Sequence, residues 1–343
     1  MGAERLIFHL GDFKTGSTAI QDWLALEGAG HGLALMPGAP HVPLAQCLRD
    51  RAWREAEFVA LARHLQDAPA PVAVVSAEHF EFADPNLLLQ AVSAHLPGWT
   101  GRIGLVAYVR PHPQALLSRY TESVKIGSFI GTPSEYLDWP QTRSRMAYAM
   151  RFGRWRAAWG SAFDLRLYDR TSFPGADIRR DFAQIATGRD PGPLAAPDVN
   201  RAPGLRALAL ARAFHQAIGE TARNSAAERA RWTLGRELGR LMAQAPELAD
   251  DPRLELDQLL ARRIEEVFAA DAESLDAGFF ETAPMVRALQ AASAEAPAET
   301  PVPDPDTELI PETRMAVSLW GRLLARGLSN EVDAVEIDRI WHE

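Results

Sequence analysis

Cysteine is almost absent from this chain of 343 residues, which contains Cys47 alone. A single thiol excludes a disulfide framework within the chain and a metal site built from several thiolates. Long apolar runs are also absent, since none approaches the roughly 20 residues that span a bilayer. The first residues read as a strand rather than as a signal peptide, so the sequence predicts a cytoplasmic protein without a transmembrane segment.

Positive charge is scarce relative to negative charge. The chain has 36 basic and 45 acidic residues, with a formal net charge of −9. Nucleic-acid binding needs a basic face that neutralises phosphates, so this balance argues against a nucleic-acid partner. The hydrophobic share of 47% is typical of a globular protein rather than of a disordered one.

Lysine is nearly missing as well. Of the 36 basic residues only Lys14 and Lys125 are lysines, and the other 34 are arginines. A lysine that persists against such a bias is a candidate for a chemical role, because a compact ammonium differs from a planar guanidinium. The alternative is that two lysines persist by chance.

Strands alternate with helices over the first 190 residues. Short apolar runs predict strands at 5–10, 72–76, 103–109 and 163–168. Amphipathic patterns predict helices at 19–26, 51–66, 85–96, 112–126 and about 177–187. This alternation predicts an α/β fold with a parallel sheet that is flanked by helices.

The composition changes beyond residue 190, which predicts four segments. They are an α/β core (1–190), a helical extension (191–290), an acidic proline-rich linker (291–312) and a C-terminal helical segment (313–343). The linker has five prolines and six acids, so we expect it to be exposed or disordered.

The first turn between a strand and a helix, 11–18, carries the clearest functional signal. It combines two glycines, three hydroxyls and Lys14, and backbone N–H groups in such a turn bind anions at a helix N-terminus. Lys14 precedes Gly16, whereas the lysine of a Walker A loop follows its second glycine. No acid that would hold Mg²⁺ follows the next two strands, so we expect an anion site without a metal. The alternative is an ordinary turn rich in small residues.

The stretch HLGDFKTGSTAIQ, residues 9–21, resembles the 5′-phosphosulfate loop of PAPS-dependent sulfotransferases. A second stretch resembles the 3′-phosphate segment of that family, with Arg110 at the end of a strand and Ser118 eight residues later. The resemblance implies a P-loop NTPase-like sulfotransferase fold and PAPS as the cofactor. It also implies that the cofactor is bound by Lys14, Thr15, Gly16, Ser17, Thr18, Arg110 and Ser118.

Weaker marks of the same family lie further along. The strand at 163–168 resembles a later family strand that ends in Tyr168 and Asp169, and Asn200–Arg201 resembles a segment near the far end of the cofactor. Lys125 lies in the second motif, although a solvated helix end is an equal alternative for it.

A base that takes the acceptor's proton should follow a neighbouring strand, at the edge where open α/β sheets bind ligands. Glu78 and His79 follow the strand 72–76, and we expect Glu78 to be the base, with His79 as second choice. The alternative is a turn cap and a surface histidine. We expect Asp12 to face away from the anion, and we regard His112 as a weaker candidate for the base.

The resulting prediction is a sulfotransferase that moves a sulfuryl group from PAPS to a hydroxyl or amine of a carbohydrate or small-molecule acceptor. Lys14 would stabilise the leaving phosphate. The alternatives are a P-loop kinase that uses ATP and a noncatalytic nucleotide-binding protein.

Overall fold

The computed structural model describes residues 2–196, 202–220 and 225–328. Its sheet has five strands. They are β1 (Arg5–His9), β2 (Leu33–Leu35), β3 (Val72–Ser76), β4 (Ile103–Val109) and β5 (Phe163–Leu167).

All strand pairs in this sheet are parallel, and the order is β2-β3-β1-β4-β5. The central strand β1 therefore lies between β3 and β4, with His9 in register with Ser76 and Val106. Because parallel strands end at one edge, the segments after β1, β3 and β4 meet at the carboxyl edge of the sheet. The predicted fold class, a parallel sheet flanked by helices, is confirmed.

In the first half of the chain, helices follow each of these strands in the sequence. They are α1 (Ser17–Leu26), α2 (Val42–Gln46), α3 (Arg51–Gln66), α4 (Pro85–His95), α5 (His112–Ile126), α6 (Pro133–Asp138), α7 (Pro140–Arg145), α8 (Tyr148–Trp159) and α9 (Ile178–Thr187). Several of these helices have a side-chain N-cap. Asp50 accepts a hydrogen bond from the Trp53 N–H at the start of α3, and Asp84 accepts one from the Asn86 N–H at the start of α4. Such caps stabilise a helix by about 1 kcal/mol each.

The second half of the described chain is helical. Its helices are α10 (Leu205–Ile218), α11 (Ala226–Gln244), α12 (Gln258–Phe279), α13 (Pro284–Glu295), α14 (Pro305–Glu308) and α15 (Pro311–Leu328). No helix in the described ranges is long and apolar enough to cross a membrane.

One face of the sheet is covered by α1 and α9. Ile20 and Trp23 from α1 pack with Phe182 from α9 against Ile7 and Val74 of the strands, and all five are buried. Burying a side chain of this size contributes roughly 1.5–3 kcal/mol. This packing holds α1, and hence the turn that precedes it, firmly on the sheet.

The chain divides into two compact units. One comprises Met1–Pro111, Ala147–Asp198 and Ala270–Val286, and the other comprises His112–Met146, Val199–Ala269 and Arg287–Glu343. This division differs from the sequence-based one, because residues 112–146 cluster with the helical part rather than with the sheet.

The segment 291–312, which the composition predicts to be an exposed or disordered linker, is exposed at most of its positions, but part of it is helical. Its first residues belong to α13, and α14 lies within it. Pro303, Pro305 and Leu309 are buried, and a guanidinium N–H of buried Arg212 donates to the Pro303 carbonyl at 2.5 Å. The segment is therefore a largely exposed connection that is held to the fold at Pro303, Pro305 and Leu309.

Candidate functional site

The turn between β1 and α1 has three residues in the left-handed region. Gly11 (φ 82°), Lys14 (φ 66°) and Gly16 (φ 81°) all have positive φ. Both glycines also leave little room for a side chain. A Cβ on Gly11, for example, would lie 3.0 Å from the Glu78 Cα. Lys14 adopts this conformation without being glycine, which costs roughly 1–2 kcal/mol. The fold thus holds the predicted loop in a strained, compact conformation.

Backbone hydrogen bonds fix the start of this loop against β4. The Tyr108 N–H donates to the Gly11 carbonyl at 2.8 Å, and the Asp12 N–H donates to the Tyr108 carbonyl at 3.1 Å. The buried Thr15 hydroxyl donates to the Asp12 carbonyl at 2.7 Å. The hydroxyl of Thr15 therefore stabilises the loop from within.

The start of α1 has the features of an anion site. Gly16 is the N-cap, no side chain caps the helix, and its first turn contains no acid. The Ser17 hydroxyl is buried and has no hydrogen-bond partner within the described part of the chain. Thr18 is exposed at the next position. An unpartnered buried hydroxyl beside an uncapped helix N-terminus suits a bound phosphate or sulfate oxygen.

A half-buried arginine, Arg151, holds Asp12 at the start of the loop. Arg151, from α8, binds both carboxylate oxygens of Asp12 at 3.2 and 3.0 Å and contacts Glu81 at 3.4 Å. Both acidic side chains are 1% exposed. The α8 start is itself fixed, because the Asp271 carboxylate accepts the Tyr148 N–H at 3.0 Å. Asp12 is therefore neutralised by an arginine, and Glu81 and Arg151 are parts of the site that the sequence reasoning missed.

Arg110 lies beside the loop, and one ring connects them. The Arg110 guanidinium lies 4.4 Å from the centroid of the Tyr168 ring, and the same ring would be 3.3 Å from a Cβ on Gly16. Among the described residues no acid forms an ion pair with Arg110, and its buried Nε has no hydrogen-bond partner. Burial is the main cause of a lowered pKa for Arg110, and nearby Arg170 acts in the same direction. The two predicted anion-binding segments thus meet across Tyr168.

Glu78 and His79 follow β3 at the same edge of the sheet and are half-buried. Glu78 lies against Gly11, since the Glu78 Cα would be 3.0 Å from a Cβ at that position. The His79 ring packs edge-on against Phe13 of the loop, with centroids 5.5 Å apart, and burial lowers the pKa of His79. Both predicted bases therefore adjoin the loop, and the structure does not single out one of them.

The remaining predicted residues lie elsewhere. Ser118 is half-buried in α5. Because α5 and Arg110 belong to different compact units, the phosphate that Ser118 and Arg110 would bind together stays a prediction. Lys125 forms an ion pair with Glu122 at 2.6 Å, and its stem packs where Gly239 leaves room. Asn200–Arg201 lies outside the described residues.

Two further histidines, His9 and His112, are fully buried. His9 is fully buried in β1, where its Nδ1 lies 2.8 Å from the Ser76 hydroxyl, and burial lowers its pKa to about 4. His112 is buried against Phe268, with its Nε2 3.2 Å from the Met146 carbonyl. The role of His112 as a weaker candidate for the base stays a prediction.

Comparison with known proteins shows the fold. The chain is similar to the crystal structure of a sulfotransferase from Alicyclobacillus acidocaldarius, with a TM-score of 0.51 and 12% sequence identity. The match covers 84% of this chain and 99% of that one. No family model matches the sequence, and no curated protein matches it. The chain therefore has a sulfotransferase-like α/β fold.

Proposed function

We propose that this protein is a sulfotransferase that uses PAPS as the sulfuryl donor. One observation carries the proposal: Arg110, which has no acidic partner among the described residues, is connected through the Tyr168 ring to Gly16 at the uncapped start of α1. Two anion-binding elements at a fixed separation fit a nucleotide with phosphates on both its 3′ and 5′ sides. The likeness to a solved sulfotransferase of 12% identity supports the fold on which this argument rests.

The residues of the loop fit the 5′ side of such a nucleotide. The Ser17 hydroxyl, unpartnered among the described residues, and the first N–H groups of α1 would donate to its oxygens, and Thr18 would add a second hydroxyl. Lys14 would place a point charge at the same end of the site, where positioning and charge are the main contributions to group transfer. When bound, PAPS would supply the sulfuryl group and leave as 3′,5′-ADP.

Arg110 would hold the 3′-phosphate, which takes no part in the reaction. A guanidinium matches the geometry of phosphate oxygens, and a bound anion compensates for the cost of burying its charge. Ser118 is its predicted companion. This division gives Arg110 a role in affinity and leaves the reacting end of the site to the loop.

The acceptor's proton would pass to Glu78 or His79. Burial lowers the pKa of His79, which favours the neutral ring that can accept a proton. The Phe13 ring packs against His79, and the Phe82 ring packs against Phe13, with the two phenylalanine centroids 5.8 Å apart. We therefore expect the acceptor hydroxyl or amine to belong to a small molecule or sugar with a face that packs on these rings.

The test is PAPS turnover by the full chain, followed as formation of 3′,5′-ADP with a panel of hydroxyl and amine acceptors in the presence of EDTA. We expect turnover with at least one acceptor and loss of turnover with Lys14→Ala. ATP-dependent transfer that requires Mg²⁺ would instead favour a kinase. Binding of 3′,5′-ADP without turnover of any acceptor, and without PAPS hydrolysis, would favour a noncatalytic nucleotide-binding protein.

A further inference from the structure

The segment that follows β5 leaves the sheet beside Arg110. The end of β5 is in register with Val109 of β4, and the Tyr168 N–H donates to the Val109 carbonyl at 2.7 Å. A short helical turn, Arg170–Ser172, begins two residues after Tyr168. The register therefore places Arg170 close to the end of β4, where the guanidinium of Arg110 packs on the Tyr168 ring.

The acid that precedes this turn, Asp169, serves as its cap. One carboxylate oxygen of Asp169 accepts the Thr171 N–H at 2.9 Å and the Thr171 hydroxyl at 2.8 Å. Among the described residues Asp169 forms no ion pair with Arg110 or Arg170. Asp169 therefore holds the turn that carries Arg170 without pairing with either arginine.

Two arginines of like charge thus lie near each other at this edge of the sheet. Arg110 is half-buried, and its buried Nε has no hydrogen-bond partner in the described ranges. The Arg170 side chain is exposed and forms no ion pair or hydrogen bond with any described residue. Burial and the charge of Arg170 both lower the pKa of Arg110, so the two guanidinium groups repel each other. A bound anion would offset this repulsion and would compensate for the buried charge.

We propose that Arg170 is a second ligand of the nucleotide's 3′-phosphate, which Arg110 and Arg170 bind together. This role rests on the proposed function, in which Arg110 holds that phosphate. A phosphate monoester carries a charge of about −1.5 to −2 at pH 7, so one arginine leaves part of that charge unbalanced. The exposed Arg170 side chain can turn toward a bound phosphate without breaking an ion pair or hydrogen bond within the described residues.

The role confines the contribution of Arg170 to nucleotides with a 3′-phosphate. The nucleotide 5′-AMP lacks that phosphate, so its affinity should not depend on Arg170. Because Arg170 is exposed and Arg110 is half-buried, dissolved salt should screen the contribution of Arg170 more strongly.

The test is calorimetric binding of 3′,5′-ADP and 5′-AMP to the full chain and to its Arg170→Met variant. We expect Arg170→Met to weaken binding of 3′,5′-ADP at least about fivefold, the effect of losing an exposed ion pair at the strong end of its range. Binding of 5′-AMP should not change. Arg170→Lys keeps the charge and should retain most of the affinity. Arg170 is exposed, so these changes should leave the fold intact.

The matched control is Arg189→Met, which removes the same charge from another place in the same compact unit. Arg189 is exposed, and its side chain forms no ion pair in the part of the chain that the structure describes. Ile178, at the start of α9, adjoins Gly16, whereas Arg189 follows the far end of this helix of 10 residues. Arg189→Met should therefore bind both nucleotides like the wild-type chain.

Three outcomes would count against this role of Arg170. An Arg170→Met protein that keeps the wild-type preference for 3′,5′-ADP over 5′-AMP would overturn it and leave the proposed function intact. Equal weakening by Arg170→Met and Arg189→Met would also overturn it, because net charge would then explain the effect. A wild-type chain that does not distinguish the two nucleotides would overturn it together with the proposed function.

Discussion

Replacing Arg151 by methionine removes the cation from a cluster that contains two buried acids. The side chains of Asp12 and Glu81 are 1% exposed in their ion pairs with Arg151. Deleting one partner of a buried ion pair costs about 3–5 kcal/mol, because the remaining charge stays buried without compensation. Methionine keeps most of the aliphatic length, so the lost charge rather than a cavity dominates this cost.

A loss of this size should be visible in thermal unfolding. For a domain of 150–250 residues, each kcal/mol of lost stability lowers the midpoint of thermal unfolding by about 2–4 °C. Arg151→Met should therefore lower this midpoint by at least about 6 °C. Affinity for 3′,5′-ADP should fall too, because Asp12 lies in the loop. Asp12→Asn in the Arg151→Met background should recover part of the midpoint, since it removes one uncompensated charge while an oxygen remains to accept the Phe13 N–H.

The control lies one turn further along α8. Arg154 pairs with Asp84 at 2.8 Å, but the two side chains are 56 and 39% exposed. Exposed ion pairs contribute about 0–1 kcal/mol, so Arg154→Met should leave both the midpoint and the nucleotide affinity nearly unchanged. An Arg151→Met protein that melts and binds 3′,5′-ADP like the Arg154→Met control would refute the reasoning.

Four further outcomes are expected. Lys14→Arg should fold normally and lower kcat for PAPS turnover at least about tenfold, which corresponds to a loss of about 1.4 kcal/mol of transition-state stabilisation. An unchanged kcat would contradict the role of Lys14 at the leaving phosphate. Arg110→Ala should raise the Kd for 3′,5′-ADP but not for 5′-AMP in calorimetry; an equal effect on both excludes the 3′ role. Glu78→Gln should lower kcat by roughly 10²-fold with little change in nucleotide Kd, whereas normal turnover together with an inactive His79→Ala would make His79 the base. Burial lowers the pKa of His9 to about 4 in the folded chain, from its ordinary value of 6.5, so the unfolded chain protonates first and stability should fall as pH drops from about 6.5 to 4. The thermal midpoint of His9→Gln should fall less steeply over that range, and equal slopes would contradict this.

Local pattern was enough to predict most of the sheet and its helices. The strands β3 and β4 and the helices α3 and α5 begin and end where their patterns predict. Each is a run of four or more residues with one clear period, so neighbouring residues carry the signal. The strand β2 was missed because its three residues at the edge of the sheet carry no pattern of their own.

The glycines and hydroxyls of the loop were recognisable for the same reason, since they lie within eight residues of one another. The role of Arg151 was not, because its ion pair with Asp12 joins residues that are 139 positions apart. Nothing near Arg151 in the sequence distinguishes it from the other arginines of this chain. Likewise, the packing of Pro303 depends on Arg212, 91 positions away.

The measurement that tests the central claim most directly is calorimetric binding of 3′,5′-ADP and 5′-AMP to the wild-type chain. If Arg110 and the loop at Gly16 hold the two ends of one nucleotide, 3′,5′-ADP should bind at least about tenfold more tightly, since a buried charge-assisted contact contributes roughly 1.5–3 kcal/mol. At about 100 times its Kd it should also stabilise the fold by roughly 2.7 kcal/mol. Equal affinity for the two nucleotides, or no binding of either, would contradict the claim that this site is built for PAPS.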